Sequence, residues 1–118
     1  MEFSYMKLAI IGGRDFQDYE RLCKVMENVK TPVTAIVSGG AVGADSLGAR
    51  WADEHGIVKE IYLPDWNGLG KRAAFVRNQQ IIDAADAVLA FWDKTSKGTA
   101  HSIGLAEKQN KPIKVINY

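Results

Sequence analysis

The sequence contains few of the features that mark specialised classes of protein. Cys23 is the single cysteine among 118 residues, and only two histidines accompany it. An internal disulfide is therefore excluded, and no ligand set for a structural zinc ion is present. The sequence predicts neither a metal site nor a cofactor. Cys23 itself lies in a predicted helix, where a lone cysteine is usually a small buried apolar residue.

Long apolar runs and a strong charge of either sign are also absent. No run approaches the roughly 20 apolar residues of a membrane span, and residues 1–5 have neither the basic region nor the apolar stretch of a signal peptide. We therefore expect a cytoplasmic protein that does not bind membranes. The net charge of +1 argues against binding to nucleic acid through a basic face, since that mode needs a large positive excess.

What is present is the composition of one ordinary globular domain. Apolar residues make up 47% of the chain and charged residues 25%, the usual mixture for a folded domain. A chain of this length has room for one core. We expect a single domain over residues 1–118, with residues 1–5 as a lead-in.

Short apolar runs alternate with amphipathic stretches along the chain. Five runs predict strands, at 6–11, 33–37, 57–63, 85–92 and 112–118. Four stretches with helical spacing lie between them, at 19–29 after an Asp18 N-cap, at 44–55, at 71–84, and at 99–110 with Thr99 as N-cap. Nearly continuous apolar strands are typical of a parallel sheet covered on both faces.

This alternation predicts a Rossmann-like α/β fold, a three-layer sandwich in which helices cover both faces of an open, five-stranded parallel sheet. In such sheets ligands bind beyond the carboxyl ends of the strands, where the strand order reverses. Three loops at that edge carry the chemistry.

The loop after the first strand contains Gly12, Gly13, Arg14 and Asp15. The glycines allow a sharp turn and close approach of a ligand, and Arg14 has a planar set of donors suited to phosphate. Asp15 either accepts hydrogen bonds from ligand hydroxyls or holds Arg14. A tight turn with a surface ion pair explains the same residues without a ligand.

The loop after the second strand is rich in glycine and opens directly into a helix. Its members are Ser38, Gly39, Gly40, Gly43, Ala44 and Asp45. Free N–H groups at the positive end of a helix dipole form a ready anion site. The loop is not a P-loop, because Ala44 and Asp45 follow Gly43. Asp45 either interacts with the dipole or faces a bound sugar, and both interpretations remain open.

The loop after the fourth strand leads into another helix and brings further donors. The candidates are Trp92, Asp93, Ser96, Gly98, Thr99 and His101. Gly98 and Thr99 supply N–H groups and a hydroxyl for phosphate. Trp92 either stacks on a base or packs in the core, and His101 either contacts phosphate, transfers a proton or is simply packed. The helix after the third strand adds Arg77 and Asn78, with Arg77 interrupting an apolar-leaning face.

With GGRDF, SGGAVGAD, Arg77-Asn78 and FWDKTSKGTAH in this order, the chain resembles the SLOG superfamily, which includes DNA-processing protein A and the "lonely guy" cytokinin-activating enzymes. It is most similar to the small, single-domain, YspA-like branch, over residues 6–118. The resemblance implies a Rossmann-like sheet and a pocket for nucleotides or their derivatives, ADP-ribose-like molecules among them.

The enzymatic relatives resemble one another in a Pro-Gly-Gly-x-Gly-Thr-x-x-Glu motif with a catalytic Glu and a separate Arg, and they cleave the bond between base and ribose 5′-phosphate. Gly98-Thr99 matches the Gly-Thr pair, and Arg77 is the candidate Arg. The Glu position falls on Ser102, which has no carboxylate, so a hydrolase would need Asp45, Asp93 or His101 instead.

The leading hypothesis is a nucleotide-binding protein that senses, carries or sequesters its ligand. The backbones of Gly39–Gly43 and Gly98-Thr99 would bind phosphate groups, Arg14 and Arg77 would neutralise their charge, and Asp45 would accept hydrogen bonds from ribose hydroxyls. The alternatives are an N-glycoside hydrolase and a protein- or DNA-interaction module. A homodimer is also expected, because the helices have apolar residues to spare.

Overall fold

A computed structural model describes residues 5–118, and residues 1–4, which make up most of the predicted lead-in, lie outside it. Five parallel strands form one sheet in the order β3-β2-β1-β4-β5. The strands are β1 (Met6–Gly12), β2 (Val33–Ser38), β3 (Val58–Ile61), β4 (Ala87–Trp92) and β5 (Ile113–Asn117). The predicted open parallel sheet is confirmed.

The helices are α1 (Tyr19–Glu27), α2 (Ala44–Glu54), α3 (Trp66–Leu69), α4 (Ala73–Ala84) and α5 (Lys97–Lys108), with a 3₁₀ turn at Gly70–Arg72. Two apolar clusters place α1 and α2 on one face of the sheet and α4 and α5 on the other, which confirms the three-layer sandwich. Between residues 5 and 118, no helix combines the length and apolar character needed to cross a membrane.

The central strand β1 is buried on both faces from residue 8 to residue 11, which explains the unbroken apolar run over these four positions. Leu8 and Ile10 belong to the cluster under α1 and α2, whereas Ala9 and Ile11 belong to the cluster under α4 and α5. All four side chains are at most 5% exposed. Successive strand residues point to opposite faces, so a strand between two helical layers needs apolar residues at every position.

Several boundaries differ from those predicted. Thr99 is not the N-cap of α5: the helix begins at Lys97 after Ser96, and Thr99 is buried in its first turn. The short helix α3 was not predicted, because four residues carry too little periodicity to detect. Its N-cap is Asp65, whose carboxylate accepts a hydrogen bond from the backbone N–H of Gly68 at 2.9 Å.

The strand order places the reversal point between β1 and β4. From β1 the chain moves outward through β2 to β3, then returns to the other side of β1 for β4 and continues to β5. The loops after β1 and β4 consequently start side by side and lead to opposite faces, leaving a crevice between them. The loop after β2 is adjacent on the other side of β1.

Candidate functional site

A cavity of about 260 Å³ lies at the carboxyl ends of β1 and β4, between the first turns of α2, α4 and α5. Eight residues predicted for the site line it: Gly12, Arg14, Asp45, Arg77, Asn78, Ser96, Gly98 and Thr99. Five further lining residues were not predicted as ligand contacts: Ile11, Ala41, Ala74, Ile81 and Ser102. We call this cavity the β1–β4 pocket.

The first turn of α5 is open on the pocket side. Ser96 occupies the N-cap position but makes no side-chain cap to the helix; its hydroxyl lies 3.3 Å from the Thr99 hydroxyl. No acceptor in residues 5–118 bonds to the backbone N–H groups of Lys97, Gly98 or Thr99. The positive end of the helix therefore presents unused donors and two hydroxyls to the cavity.

Asp93 explains how the loop before α5 is ordered while the helix end stays open. Its Oδ1 accepts hydrogen bonds from the backbone N–H groups of Thr95 and Ser96, at 2.9 and 2.7 Å. Lys94, which follows Asp93 directly, adopts a left-handed φ of 72°. These backbone donors lower the pKa of Asp93. Its carboxylate thus organises the loop and is not among the groups that line the pocket.

In the glycine-rich loop after β2, by contrast, the N–H groups of the two adjacent glycines Gly39 and Gly40 bond within the protein. The backbone N–H of Gly39 donates to Oδ2 of Asp45 at 3.0 Å, and that of Gly40 donates to the buried hydroxyl of Ser38 at 3.2 Å. Asp45 itself occupies the positive end of α2. The structure therefore places two of the predicted anion donors of this loop, Gly39 and Gly40, against protein acceptors.

The start of α2 is joined to the loop after β1 in the same way. The backbone N–H of Ala44 donates to the carbonyl of Gly13 at 3.2 Å. Gly43 adopts a φ of +85°, and a β-carbon there would collide with the Gly13 carbonyl. Gly43 and Ala44 thus hold two loops together, and Arg14 projects from that junction into the pocket.

Gly39 is clamped between two charged side chains. Its N–H is bonded to Asp45, and its carbonyl accepts a hydrogen bond from Nη1 of Arg77 at 2.8 Å. A β-carbon on Gly39 would lie 2.5 Å from that Nη1 and 2.8 Å from Oδ2 of Asp45. Only glycine lets the backbone pass between the acid and the base at this distance.

Asp45 is a buried carboxylate, 6% exposed, on the wall of the pocket. Burial raises its pKa to about 6, because desolvation disfavours the charged form, while Arg77, the N–H groups of Gly39 and Ala41, and Arg14 act in the opposite direction. The cavity thus combines two guanidinium groups with one carboxylate.

A hydrogen-bonded chain links the pocket to the junction of α4 and α5. Nε of Arg77 donates to Oδ1 of Asn78 at 3.3 Å, which directs the Asn78 amide NH₂ to Nδ1 of His101 at 3.2 Å. Nδ1 therefore acts as the acceptor, and the ring proton is assigned to Nε2. The His101 ring packs edge-on against Phe75 at 4.8 Å, outside the pocket lining.

Other predicted residues also lie away from the cavity. Trp92 donates its indole N–H to the carbonyl of Ser96 at 3.0 Å and lines a separate, open groove of about 590 Å³ beside α5. Asp15 accepts a hydrogen bond from Tyr118. The residues of the second loop that support the wall without lining it are Ser38, Gly39, Gly40, Gly43 and Ala44.

Ser102 is the most informative residue that was not predicted to contact a ligand. It is 4% exposed and lines the pocket one turn after Thr99. A serine alone gives no sequence signal, and its position was notable only as the place where enzymatic relatives carry Glu. Ala74 and Ile81 lie at helical spacing on one face of α4, a pattern that predicts a packed face and not a ligand contact.

Within residues 5–118 no three His, Cys, Asp or Glu side chains lie close enough to hold a metal ion. Another cavity, of about 240 Å³, lies near the amino ends of β1 and β4 and is lined mainly by apolar side chains. It lacks the convergent charged groups of the β1–β4 pocket, which is therefore the better candidate site.

Residues 6–68 match the model of a protein family described as the YspA, cpYpsA-related SLOG family. The chain is also 38% identical over 116 residues to the Gene 61 protein of Mycobacterium phage D29, a match that covers 91% of this chain and 93% of the phage protein. No solved structure gives a significant match. The family match includes the first two loops of the site and ends before α4.

Proposed function

This chain belongs to the YspA, cpYpsA-related SLOG family, and we propose that its β1–β4 pocket binds a nucleotide or nucleotide-derived ligand. The observation that carries the proposal is the open first turn of α5, which lines the same cavity as two arginines. Unused N–H groups of Gly98 and Thr99 face the same cavity as Arg14 and Arg77. Such an arrangement suits a phosphate group.

The phosphate belongs at α5 in this proposal, rather than on both glycine-rich loops. The donors of Gly39 and Gly40 are already bonded to Asp45 and Ser38, and a phosphate beside the Asp45 carboxylate would meet like charge. Asp45 instead accepts hydrogen bonds from sugar hydroxyls. The ligand thus lies with its phosphate towards α5 and its ribose towards α2.

The volume of the cavity limits which part of a ligand it can enclose. About 260 Å³ falls just below the range of roughly 300–1,000 Å³ that is typical of small-molecule pockets. One phosphate and one ribose account for most of this space. The base of a nucleoside phosphate, or the second half of an ADP-ribose-like molecule, extends through the open mouth. A sensor, carrier or sequestering protein needs no more than such reversible binding.

Hydrolysis of an N-glycosidic bond is a second candidate, favoured by one observation. The pKa of Asp45, raised to about 6, suits a group that exchanges a proton near neutral pH. Asp93 and His101 lie outside the pocket lining, and Ser102 has no carboxylate. A glycosidase here would therefore depend on Asp45.

The test is mass spectrometry of the purified protein under native and then denaturing conditions. The stripped protein is then incubated with AMP, ADP-ribose, NAD and cyclic nucleotides. An intact nucleotide that co-purifies or rebinds supports the binder. Free base and ribose phosphate that are absent with Asp45→Asn would instead establish a hydrolase, and neither ligand nor product in any incubation would contradict both proposals.

A further inference from the structure

Arg14 reaches the pocket from a four-residue loop, residues 13–16, which we call the Arg14 loop. Its ends are anchored through Gly13 and Phe16. The backbone N–H of Gly13 donates to the carbonyl of Phe91 at 3.1 Å, and the ring of Phe16 stacks on that of Phe91 at 4.3 Å. Arg14 and Asp15, between these anchors, are both exposed.

Tyr118 contacts the middle of this loop from the side opposite α2. Its hydroxyl donates to Oδ1 of Asp15 at 2.5 Å, and its ring lies 5.0 Å from the ring of Phe16. A β-carbon on Gly13 would overlap the Tyr118 hydroxyl, so the fit between tyrosine and loop is close. Burial and the Asp15 carboxylate both raise the pKa of Tyr118, which keeps the phenol protonated as a donor.

Tyr118 is itself fixed to the sheet. Its backbone N–H donates to the carbonyl of Trp92 at 3.2 Å, beside the side-chain amide of Asn117, which donates to the same carbonyl at 3.3 Å. The backbone of Tyr118 is thus attached to the sheet beside β4 and β5. The hydrogen bond from its hydroxyl to Asp15 connects the Arg14 loop to this part of the sheet.

We propose that Tyr118 is a positioning residue for the ligand site: by holding Asp15, it sets the direction in which Arg14 enters the β1–β4 pocket. The proposal rests on the proposed function, because Arg14 has a task only if an anion binds there. Asp15, predicted to contact a ligand hydroxyl or to hold Arg14, then acts through the backbone of its own loop. The function of Tyr118 is to reduce the number of loop conformations that ligand binding must otherwise select.

The test is a double-mutant cycle between Tyr118→Phe and Arg14→Ala, read as the affinity for AMP by titration calorimetry. Phe keeps the ring against Phe16 and removes only the hydroxyl. We expect Tyr118→Phe to weaken AMP binding about five-fold in the wild-type background and to have no effect in the Arg14→Ala background, because the positioned group is then missing.

Tyr19→Phe is the matched control. Tyr19 also donates its hydroxyl to a carboxylate at 2.5 Å, that of Glu54, but at the surface between α1 and α2. The Tyr19→Phe substitution should leave AMP affinity unchanged. Two results would overturn the positioning role alone. One is full AMP affinity in Tyr118→Phe while Arg14→Ala weakens binding. The other is an equal loss of AMP affinity when Tyr118→Phe is introduced into the wild type and into Arg14→Ala. No loss in Arg14→Ala would overturn the anion site and, with it, the role of Tyr118.

Backbone hydrogen exchange gives a readout without any ligand. The N–H of Phe16 donates to the carbonyl of Gly13 at 3.3 Å within the loop. Exchange at this amide and at that of Gly13 should accelerate several-fold in Tyr118→Phe, since loops held by fewer contacts open more often, and should not change in Tyr19→Phe. Unchanged exchange in Tyr118→Phe would show that the hydroxyl does not hold the loop.

Discussion

Asp45 and Arg77 hold the backbone of Gly39 from its two sides, and both residues also belong to the proposed ligand site. Asp45 accepts the Gly39 N–H, and Arg77 donates to the Gly39 carbonyl. Both side chains also line the pocket. Because Asp45 is buried, its ionised form carries a desolvation cost that its partners only partly offset. The site is therefore less stable than an apolar equivalent would be.

The first prediction concerns the dependence of stability on pH. The folded pKa of Asp45, about 6, lies above its unfolded value of 3.8, so the folded state binds the proton more tightly. Unfolding free energy should then fall as pH rises through the window between these two values. From about pH 5 to about pH 7.5 the wild type should lose about 1 kcal/mol more than Asp45→Asn, whose amide oxygen can still accept the Gly39 N–H.

The measurement is urea unfolding of both proteins at the two pH values. The relevant quantity is the difference between wild type and Asp45→Asn at each pH, which removes the contribution of other titrating groups. A difference that does not change between the two pH values would mean that Asp45 is not desolvated as described.

At the scale of single residues, the sequence predicted which residues lie together around the pocket better than it predicted what they bond to. Arg14, Arg77, Asp45, Gly98 and Thr99 were predicted, and all line the pocket. The sequence could not predict that N–H groups of the glycine-rich loop after β2 bond to protein acceptors. Whether an N–H faces a ligand or a neighbouring carboxylate depends on side-chain conformation. Sequence spacing contains no such information.

Among the elements, α5 differs from α2 in the state of its first turn. The positive end of α2 carries Asp45, and its Ala44 N–H is bonded to Gly13. Neither helix has a side-chain cap on its N-cap residue, but the first turn of α5 has no acidic residue and its Lys97, Gly98 and Thr99 N–H groups have no acceptor among residues 5–118. An end without these partners is less stable than one whose donors are satisfied, and the proposed phosphate would supply the missing acceptor.

The second prediction tests this interpretation by replacing two glycines of α5, one in its first turn and one further along the helix. A β-carbon on Gly98, in the first turn, would meet nothing within 4 Å, and the same holds for Gly104 two turns later. Gly98→Ala and Gly104→Ala should therefore each stabilise the protein by about 0.5–1 kcal/mol. Only Gly98→Ala should weaken AMP binding, because its methyl group would lie where phosphate approaches the backbone.

Thermal unfolding and calorimetric titration of both variants give the two quantities needed. Gly104→Ala controls for the gain in helix propensity. The interpretation fails if Gly98→Ala binds AMP as tightly as Gly104→Ala does.

The third prediction concerns the C-terminal end of α4. Nζ of Lys111 donates to the carbonyls of Ile82 and Asp83, at 2.5 and 3.2 Å, which satisfies acceptors that the helix end leaves unpaired. Lys111→Met keeps most of the apolar stem and should lower the unfolding free energy by about 1 kcal/mol. Chemical denaturation measures this change, and Lys30→Met, at an exposed position after α1, should alter stability by less than half as much.

The elements themselves were largely predictable because their patterns are strong. Strands β1, β2 and β4 are apolar at nearly every position, and α1 follows a good N-cap in Asp18, whose carboxylate accepts the Arg21 N–H at 3.0 Å. The boundaries of α5 and the existence of α3 were missed. In both cases the deciding interactions are local hydrogen bonds, those of Asp93 and Asp65, that compete with helix periodicity.

For the whole molecule, the site follows from topology. Parallel strands end at the same edge, and the order β3-β2-β1-β4-β5 places the loops after β1 and β4 on either side of one crevice. The contact of Tyr118 with Asp15, separated by 103 positions in the chain, shows what sequence patterns cannot supply. It requires the register of β5 on β4, which no local signal encodes.

The most direct test of the central claim is calorimetric titration of the protein with AMP and ADP-ribose, comparing wild type, Arg77→Ala and Arg50→Ala. Arg50 lies on the outer surface of α2, paired with Glu54 at 3.1 Å, and serves as the control. We predict one site per chain, with affinity reduced at least ten-fold in Arg77→Ala and unchanged in Arg50→Ala. Equal binding by all three proteins, or no binding of either nucleotide to the wild type, would contradict the account.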